Sequence, residues 1–141
     1  MRDKQRERVT EVLTGVLEDG EAVELACQAL VTVVPVEQSA AGRLARDVAK
    51  LTNARAGLRN EAFVVLTDRR LLVLGKNAAQ RPTDEVRVAL RRDGIGSTDY
   101  RRGVMSTLTV VPTVGDRAVA MTTGLMLRGS SDAMAQALGA R

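Results

Sequence analysis

A chain of 141 residues has the length of one domain, and its 45% hydrophobic content can supply a core. With one Phe, one Tyr and no Trp, that core must be built from Val, Leu, Ala and Met. The absence of histidine removes the commonest general base and metal ligand, a single cysteine excludes an internal disulfide or a Cys-rich zinc cluster, and a net charge of +4 favours acidic partners without amounting to a polybasic tail.

The opening MRDKQRERVTEVL has no apolar signal-peptide core. No uninterrupted apolar run approaches the roughly 18 residues of a membrane span. Together these predict a soluble cytoplasmic chain. From Asp3 to Leu17, Val9, Val12, Leu13, Val16 and Leu17 fall at helical spacing between charges, which predicts an amphipathic helix stopped at Glu18-Asp19-Gly20. Its stripe has two uses: packing on the chain's own core, or serving as a partner interface formed by Val9, Val12, Leu13, Val16 and Leu17. Val23 to Val33 then alternates with period two, a half-buried strand ending near Pro35 with Cys27 facing inward. A buried, inert thiol is the expectation there.

Between residues 36 and 60 the period changes. Leu44, Val48 and Leu51 share a stripe, so this stretch is either a short inserted helix or a mobile connection. Ala62–Leu66 and Leu71–Leu74 each suit a strand, with Thr67, Asp68, Arg69 and Arg70 as the hairpin between them: Asp68 and Arg69 at the tip, Thr67 and Arg70 holding the register. Val86, Val88 and Leu90 alternate with polar residues and predict a one-sided strand. Ile95–Tyr100 and Met105–Val111 follow, split by Arg101-Arg102-Gly103, and Val119 and Met121 mark the last strand after Gly115-Asp116. Gly94-Ile95-Gly96-Ser97 lacks the phosphate-loop pattern and opens no helix, so a bend or bulge is expected. Ser130 or Ser131 is placed to cap a closing helix, with Asp132 in its first turn, Met134, Ala137 and Leu138 as its apolar side, and Gly139 at its end.

About seven strands with short connections, followed by one helix, predict an α+β, mainly β layout. The strands pair antiparallel, and the helix plugs the open end of a bent sheet or barrel.

Three stretches carry a family resemblance. Leu17-Glu18-Asp19-Gly20-Glu21 is similar to a Leu-x-x-Gly-Glu lead-in to a first strand. Leu66-Thr67-Asp68-Arg69-Arg70-Leu71 is similar to a Leu-Thr-Asx-x-Arg-Leu hairpin, and Val86–Leu90 leading to Ile95 is a looser match. On these the chain from about Leu17 to Leu138 resembles the bacterial pleckstrin-homology-like (PH-like) domains. The resemblance implies a barrel of about seven antiparallel strands closed by a C-terminal helix. Residues 1–17 would then be an added helix, residues 18–141 the domain, and residues 36–60 a long insertion after the first strand. It also implies a ligand rim on the loops after the first, third and sixth strands, here Arg43, Arg46, Lys50 and Arg55, then Lys76 and Arg81, then Arg117. A solvated rim is the plainer reading of these cations. Capture of an anionic lipid or a phosphorylated ligand is the functional one.

The carboxylates sit mainly at turns, where Asp bonds nearby backbone N–H groups, and no nucleophile–base pair stands out. The pairs Arg69-Arg70, Arg91-Arg92 and Arg101-Arg102 lack the aromatic platforms that single-stranded nucleic acid requires. The sequence therefore predicts no catalytic residue, cofactor or metal. It points to a non-enzymatic module for protein–protein or self-association, with an anionic membrane surface as the alternative partner and a place at the inner membrane face.

Overall fold

In the computed structural model, which describes residues 2–35, 61–114 and 117–139, Val23–Pro35 form one strand, β1, of 13 residues. Its length lets it serve two halves of a sheet. Cys27 to Ala29 pair with Val64 to Ala62 of β2 (Glu61–Thr67), and Val31 to Pro35 pair with Met121 to Arg117 of β7 (Arg117–Thr123). Leu30 faces both neighbours. Outside these lie β3 (Arg70–Lys76) and β4 (Pro82–Arg91) on one side, and β6 (Ser106–Pro112) and β5 (Ile95–Arg101) on the other. The order is β4-β3-β2-β1-β7-β6-β5, antiparallel throughout. A turn of 3₁₀ helix, Arg92–Gly94, links β4 to β5, and the closing helix α2 runs Arg128–Ala137. The fold is mainly β, with seven antiparallel strands and a closing helix, the order of elements that the sequence predicted.

The core is two clusters on opposite faces of β2 and β3. One joins Cys27, Val64, Leu66, Leu71 and Val73 to Leu108, Val110, Val119 and Met121 of the other half-sheet, with Met134 and Ala135 of α2 above them. The sheet must bend for its two halves to share these contacts. The other cluster holds Phe63, Val65, Leu72 and Leu74 against Val9 and Leu13 beside the N-terminal helix α1 (Arg2–Val12). Burial on both faces is why β2 and β3 read as unbroken apolar runs instead of alternating.

Three expectations need correction. α1 ends at Val12, not Leu17: beyond it the chain continues in tighter turns, with the Thr14 N–H on the Glu11 carbonyl and the Val16 N–H on the Leu13 carbonyl, and Gly15 disfavours helix there. β4 alternates as expected, with Val86, Val88 and Leu90 half-buried between exposed neighbours, but the three do not share one face. Val73 pairs with Val88 but Leu74 pairs with Val86, so Arg87 is an extra residue in a bulge. Val88 and Leu90 therefore pack in the central cluster, while Val86 packs on the α1 side. Finally, α2 starts at Arg128, and neither Ser130 nor Ser131 caps it. Ser131 lies inside the helix, donating to the Arg128 carbonyl at 3.0 Å, and Asp132 is past the first turn, where it accepts from Tyr100 and Arg102. Gly139, at φ +73°, ends the helix as expected.

The bend at Gly96 is a bulge too: Ile95 pairs with Pro112, but Ser97 pairs with Val111. A Cβ on Gly96 would lie 3.3 Å from the Thr113 backbone nitrogen and 3.0 Å from its methyl, so the chains approach closely there.

The β2–β3 hairpin is held as the sequence suggested. The Thr67 hydroxyl accepts the N–H groups of Arg69 (3.1 Å) and Arg70 (2.8 Å) and donates to Glu21 Oε2 at 2.6 Å. The fully buried Glu21 carboxylate takes Arg70 Nη2 at 2.7 Å and Nε at 3.0 Å, and the Glu18 N–H at 2.9 Å. Arg70 Nη2 also donates to the Val16 carbonyl at 3.1 Å. Asp68, at the tip, accepts the Ala22 N–H at 2.9 Å. The Arg70 guanidinium, the Thr67 hydroxyl and the Glu18 N–H together hold the Glu21 carboxyl down at about 2, against burial.

An unfolded glutamate titrates at about 4.3. Glu21 therefore contributes fully above that pH, and its contribution is lost as pH falls through its folded value of about 2. Glu21→Gln is expected to remove about 3 kcal/mol of stability near neutral pH by leaving the Arg70 charge uncompensated. In urea unfolding, the gap between variant and wild type should narrow as pH drops below about 4. A pH-independent gap would contradict the assignment.

Candidate functional site

Most described arginines are already occupied, chiefly by three glutamates spaced three residues apart before and within β1. Glu18 takes Arg91 at 3.0 Å and Arg69 at 3.4 Å, Glu21 takes Arg70, and Glu24 takes Arg92 at 2.8 Å. The Arg91 and Arg69 side chains hold the Glu18 carboxyl below its ordinary range. Arg92 also donates to the carbonyls of Thr67 (3.1 Å) and Ala137 (3.0 Å), tying the last turn of α2 to the hairpin, where a cation is favourable. Arg101 pairs with Asp99 and Arg102 with Asp132. The Tyr100 hydroxyl and Arg102 keep the Asp132 carboxyl low. The three arginine pairs are thus held by the chain's own carboxylates.

Of the seven cations assigned to a ligand rim, Arg43, Arg46, Lys50 and Arg55 lie outside the described residues, as does the 36–60 connection. Lys76 is paired with Glu61 at 2.7 Å. Arg81 is exposed in the β3–β4 turn. Arg117, also exposed, is opposite Pro35 on β1, whereas Lys76 reaches Gln28, seven positions earlier on that strand (35 − 28). Lys76 and Arg117 are therefore not brought together.

The partner stripe also needs correction. Val9 and Leu13 are 0% exposed, packed on Phe63, Val65, Leu72 and Leu74, with Val16 and Leu17 partly buried against the same cluster. They are core residues because β2 and β3 present apolar side chains on their outer face too. Val12 is half-buried. Cys27 is buried as expected, and burial pushes its thiol up to about 12, away from thiolate chemistry.

Among the described residues, six large apolar side chains are exposed: Val33 on β1, Val114 after β6, and four that gather at the corner where β1 passes from one half-sheet to the other. There the β5–β6 turn places Val104 (75% exposed) and Met105 (42%) beside the link from β7 to α2, with Leu125 (58%) and Met126 (99%). Pairing of Ser106 with Thr123 and a 2.6 Å bond from Arg128 to the Gly103 carbonyl bring the two turns together. Met105 and Leu127 line a small cleft of about 150 Å³ with Gln28, Glu61 and Lys76. Next to it a groove of about 440 Å³ runs beneath the first turns of α1. Phe63, Pro82 and Leu127 form its apolar wall, Gln28 and Gln80 its amides, and Lys4 and Arg8 its cations. Neither feature is a contiguous motif. The one sequence signal was the apolar pairs Val104-Met105 and Leu125-Met126 beside turn residues, where exposed apolar side chains call for a reason.

Among the described residues, no group of three or more His, Cys, Asp or Glu side chains could hold a metal ion. No described helix is long and apolar enough to cross a membrane. What the corner offers is shape, apolar surface and positive charge.

The burial contrast gives a direct test. Leu13→Ala is expected to lower the free energy of unfolding by about 3 kcal/mol, and Met126→Ala to change it by less than about 0.5 kcal/mol, as read by chemical denaturation.

No family model matches the chain, and no curated protein matches it. Among solved structures it is similar to a pleckstrin homology domain from Shewanella amazonensis SB2B, at 12% sequence identity and a TM-score of 0.46, over 92% of this chain and 94% of that one.

Proposed function

We propose that this chain is a non-enzymatic binding module that acts by protein–protein association, and that one of its partners is a second copy of itself. The observation that carries this reading is the apolar corner of Val104, Met105, Leu125 and Met126, which the fold does not use internally. Four such side chains on two adjoining turns form the kind of patch that soluble proteins usually bury against something. Catalysis has no comparable support. The described carboxylates at Glu18, Glu21, Glu24, Asp99 and Asp132 are engaged with arginines.

A second reading has its own observation. Lys4, Arg8 and Arg81 have no carboxylate within ion-pair distance among the described residues. Lys4 and Arg8 line the groove, and Arg81 follows Gln80, which also lines it. Cations next to exposed Met and Leu also suit an anionic membrane surface. Co-sedimentation at low salt separates the two readings. Retention on phosphatidylserine vesicles no greater than on phosphatidylcholine vesicles ends the membrane reading, since electrostatic attraction is strongest there.

For self-association the test is size exclusion with light scattering on the full chain and on Leu125→Glu/Met126→Asp. Truncating the N-terminus is unsuitable, because Val9 and Leu13 belong to the core. The wild type should show more than the monomer mass and the variant the monomer mass, with the same circular dichroism. A wild-type chain that stays monomeric at all concentrations up to the solubility limit refutes it.

A further inference from the structure

The groove beneath α1 has chemistry of its own, separate from the apolar corner. Its volume of about 440 Å³ is in the range of small-ligand sites, which run to roughly 300–1,000 Å³ and combine apolar walls with a few polar groups. Phe63, the chain's one phenylalanine, reaches it from β2, with Pro82 from β4 and Leu127 from the link into α2.

Its charge is one-sided. Lys4 and Arg8 line it, and no carboxylate among the described residues does. Elsewhere in the described chain, Arg69, Arg70, Lys76, Arg87, Arg91, Arg92, Arg101 and Arg102 each have a carboxylate within 4.0 Å. Lys4 and Arg8, around an apolar groove, have no such carboxylate among the described residues. Backbone strain is found at the same margin. Gln80 has a φ of +63°, the one non-glycine residue with positive φ among those described, and its turn is held by Asn77 Oδ1 accepting the N–H groups of Ala79 and Arg81. A glutamine kept in the left-handed region contributes an amide to the groove that the usual glycine would not.

We propose that this groove binds an amphiphilic anion: an apolar chain packed on Phe63, Pro82 and Leu127, with a carboxylate head group at Lys4 and Arg8. The amides of Gln28 and Gln80 have donors to offer the same head group. Both cations project from one helix four residues apart, so they lie on the same side of it. Charge-assisted bonds from two such donors hold a carboxylate, and the apolar wall selects what is attached to it. A carboxylate or phosphate on a short polar body leaves that wall unused.

The test uses the full-length chain and nuclear magnetic resonance, titrated with decanoate below its micelle concentration and, separately, with decanol. Decanoate should shift the side-chain amide resonances of Gln28 and Gln80, and decanol should bind about tenfold more weakly for want of the charge. Lys4→Ala/Arg8→Ala should weaken decanoate by about the same factor and leave decanol unchanged. Both side chains are exposed and outside the Val9–Leu13 packing, so this variant keeps its fold. Leu127→Gln, from a half-buried position, should weaken both ligands. Competition by phosphatidylserine vesicles would support the site and name a bilayer lipid as the source of the anion. Binding of decanoate without such competition would support it and name a free amphiphile. The proposal is overturned if decanoate leaves the Gln28 and Gln80 amides unmoved, if decanol binds as well as decanoate, or if the double variant binds decanoate unchanged.

Discussion

A buried carboxylate that must be satisfied organises this fold. Glu21 has no solvent to turn to, and an unpaired charge at that depth would cost several kcal/mol. Its oxygens are met from three directions: the Thr67 hydroxyl, the Arg70 guanidinium and the Glu18 N–H. Each contact fixes a different element. Thr67 sets the β2–β3 hairpin, because the same hydroxyl accepts the Arg69 and Arg70 N–H groups. Arg70 reaches on to the Val16 carbonyl and so fixes the chain leaving α1. That position is what lays Val9 and Leu13 on the outer face of β2 and β3.

The glutamates on either side extend the arrangement without matching its energetic weight. Glu18 with Arg69 and Arg91 is largely exposed, and such pairs contribute little. Arg92 is different in kind. It meets Glu24 as a charge, but its bonds to the Thr67 and Ala137 carbonyls join the hairpin to the end of α2. One corner of the molecule is thus saturated with ion pairs that specify register. The opposite corner, at the β3–β4 and β5–β6 turns, combines exposed apolar side chains with cations that have no carboxylate in range among the described residues. A protein that met all its polar groups equally would give no hint of where a partner binds; this asymmetry does.

Much of the architecture was legible because it rests on local rules. Alternation along Val23–Val33 marks β1, and Thr67 to Arg70 marks the hairpin through side-chain bonding that is itself local. The failures are where a distant partner decides. The face of Val86 depends on a bulge opposite Leu74 that no period reveals. Ser131 looks like a cap until Tyr100 is beside it, bonding to its hydroxyl at 3.0 Å. The stripe at Val9 and Leu13 was visible, but its use depended on whether β2 and β3 are apolar on both faces, which an unbroken run leaves open. The groove was illegible for the strongest reason: its lining comes from α1, β1, β2, the β3–β4 turn, β4 and the link to α2, with no two lining residues adjacent in sequence.

The position of the groove follows from how an amphipathic helix covers a sheet. The apolar stripe of α1 starts only at Val9, and the stretch Arg2–Arg8 contains no apolar residue at all. Where Val9 and Leu13 lie, the outer face of β2 and β3 is closed by ordinary core packing. One helical turn or more towards the N-terminus the helix has nothing apolar to offer, yet Phe63 and Pro82 are still beneath it. Lys and Arg side chains resolve that mismatch by laying their aliphatic stems along apolar surface while keeping the charged end in water. The result is a space with an apolar floor and a cationic rim. A more apolar first turn would remove the cations from the one place in the described structure where apolar side chains and charge without a carboxylate in range meet in a concavity. The polar start of α1 is thus the sequence feature on which a binding role for this face depends.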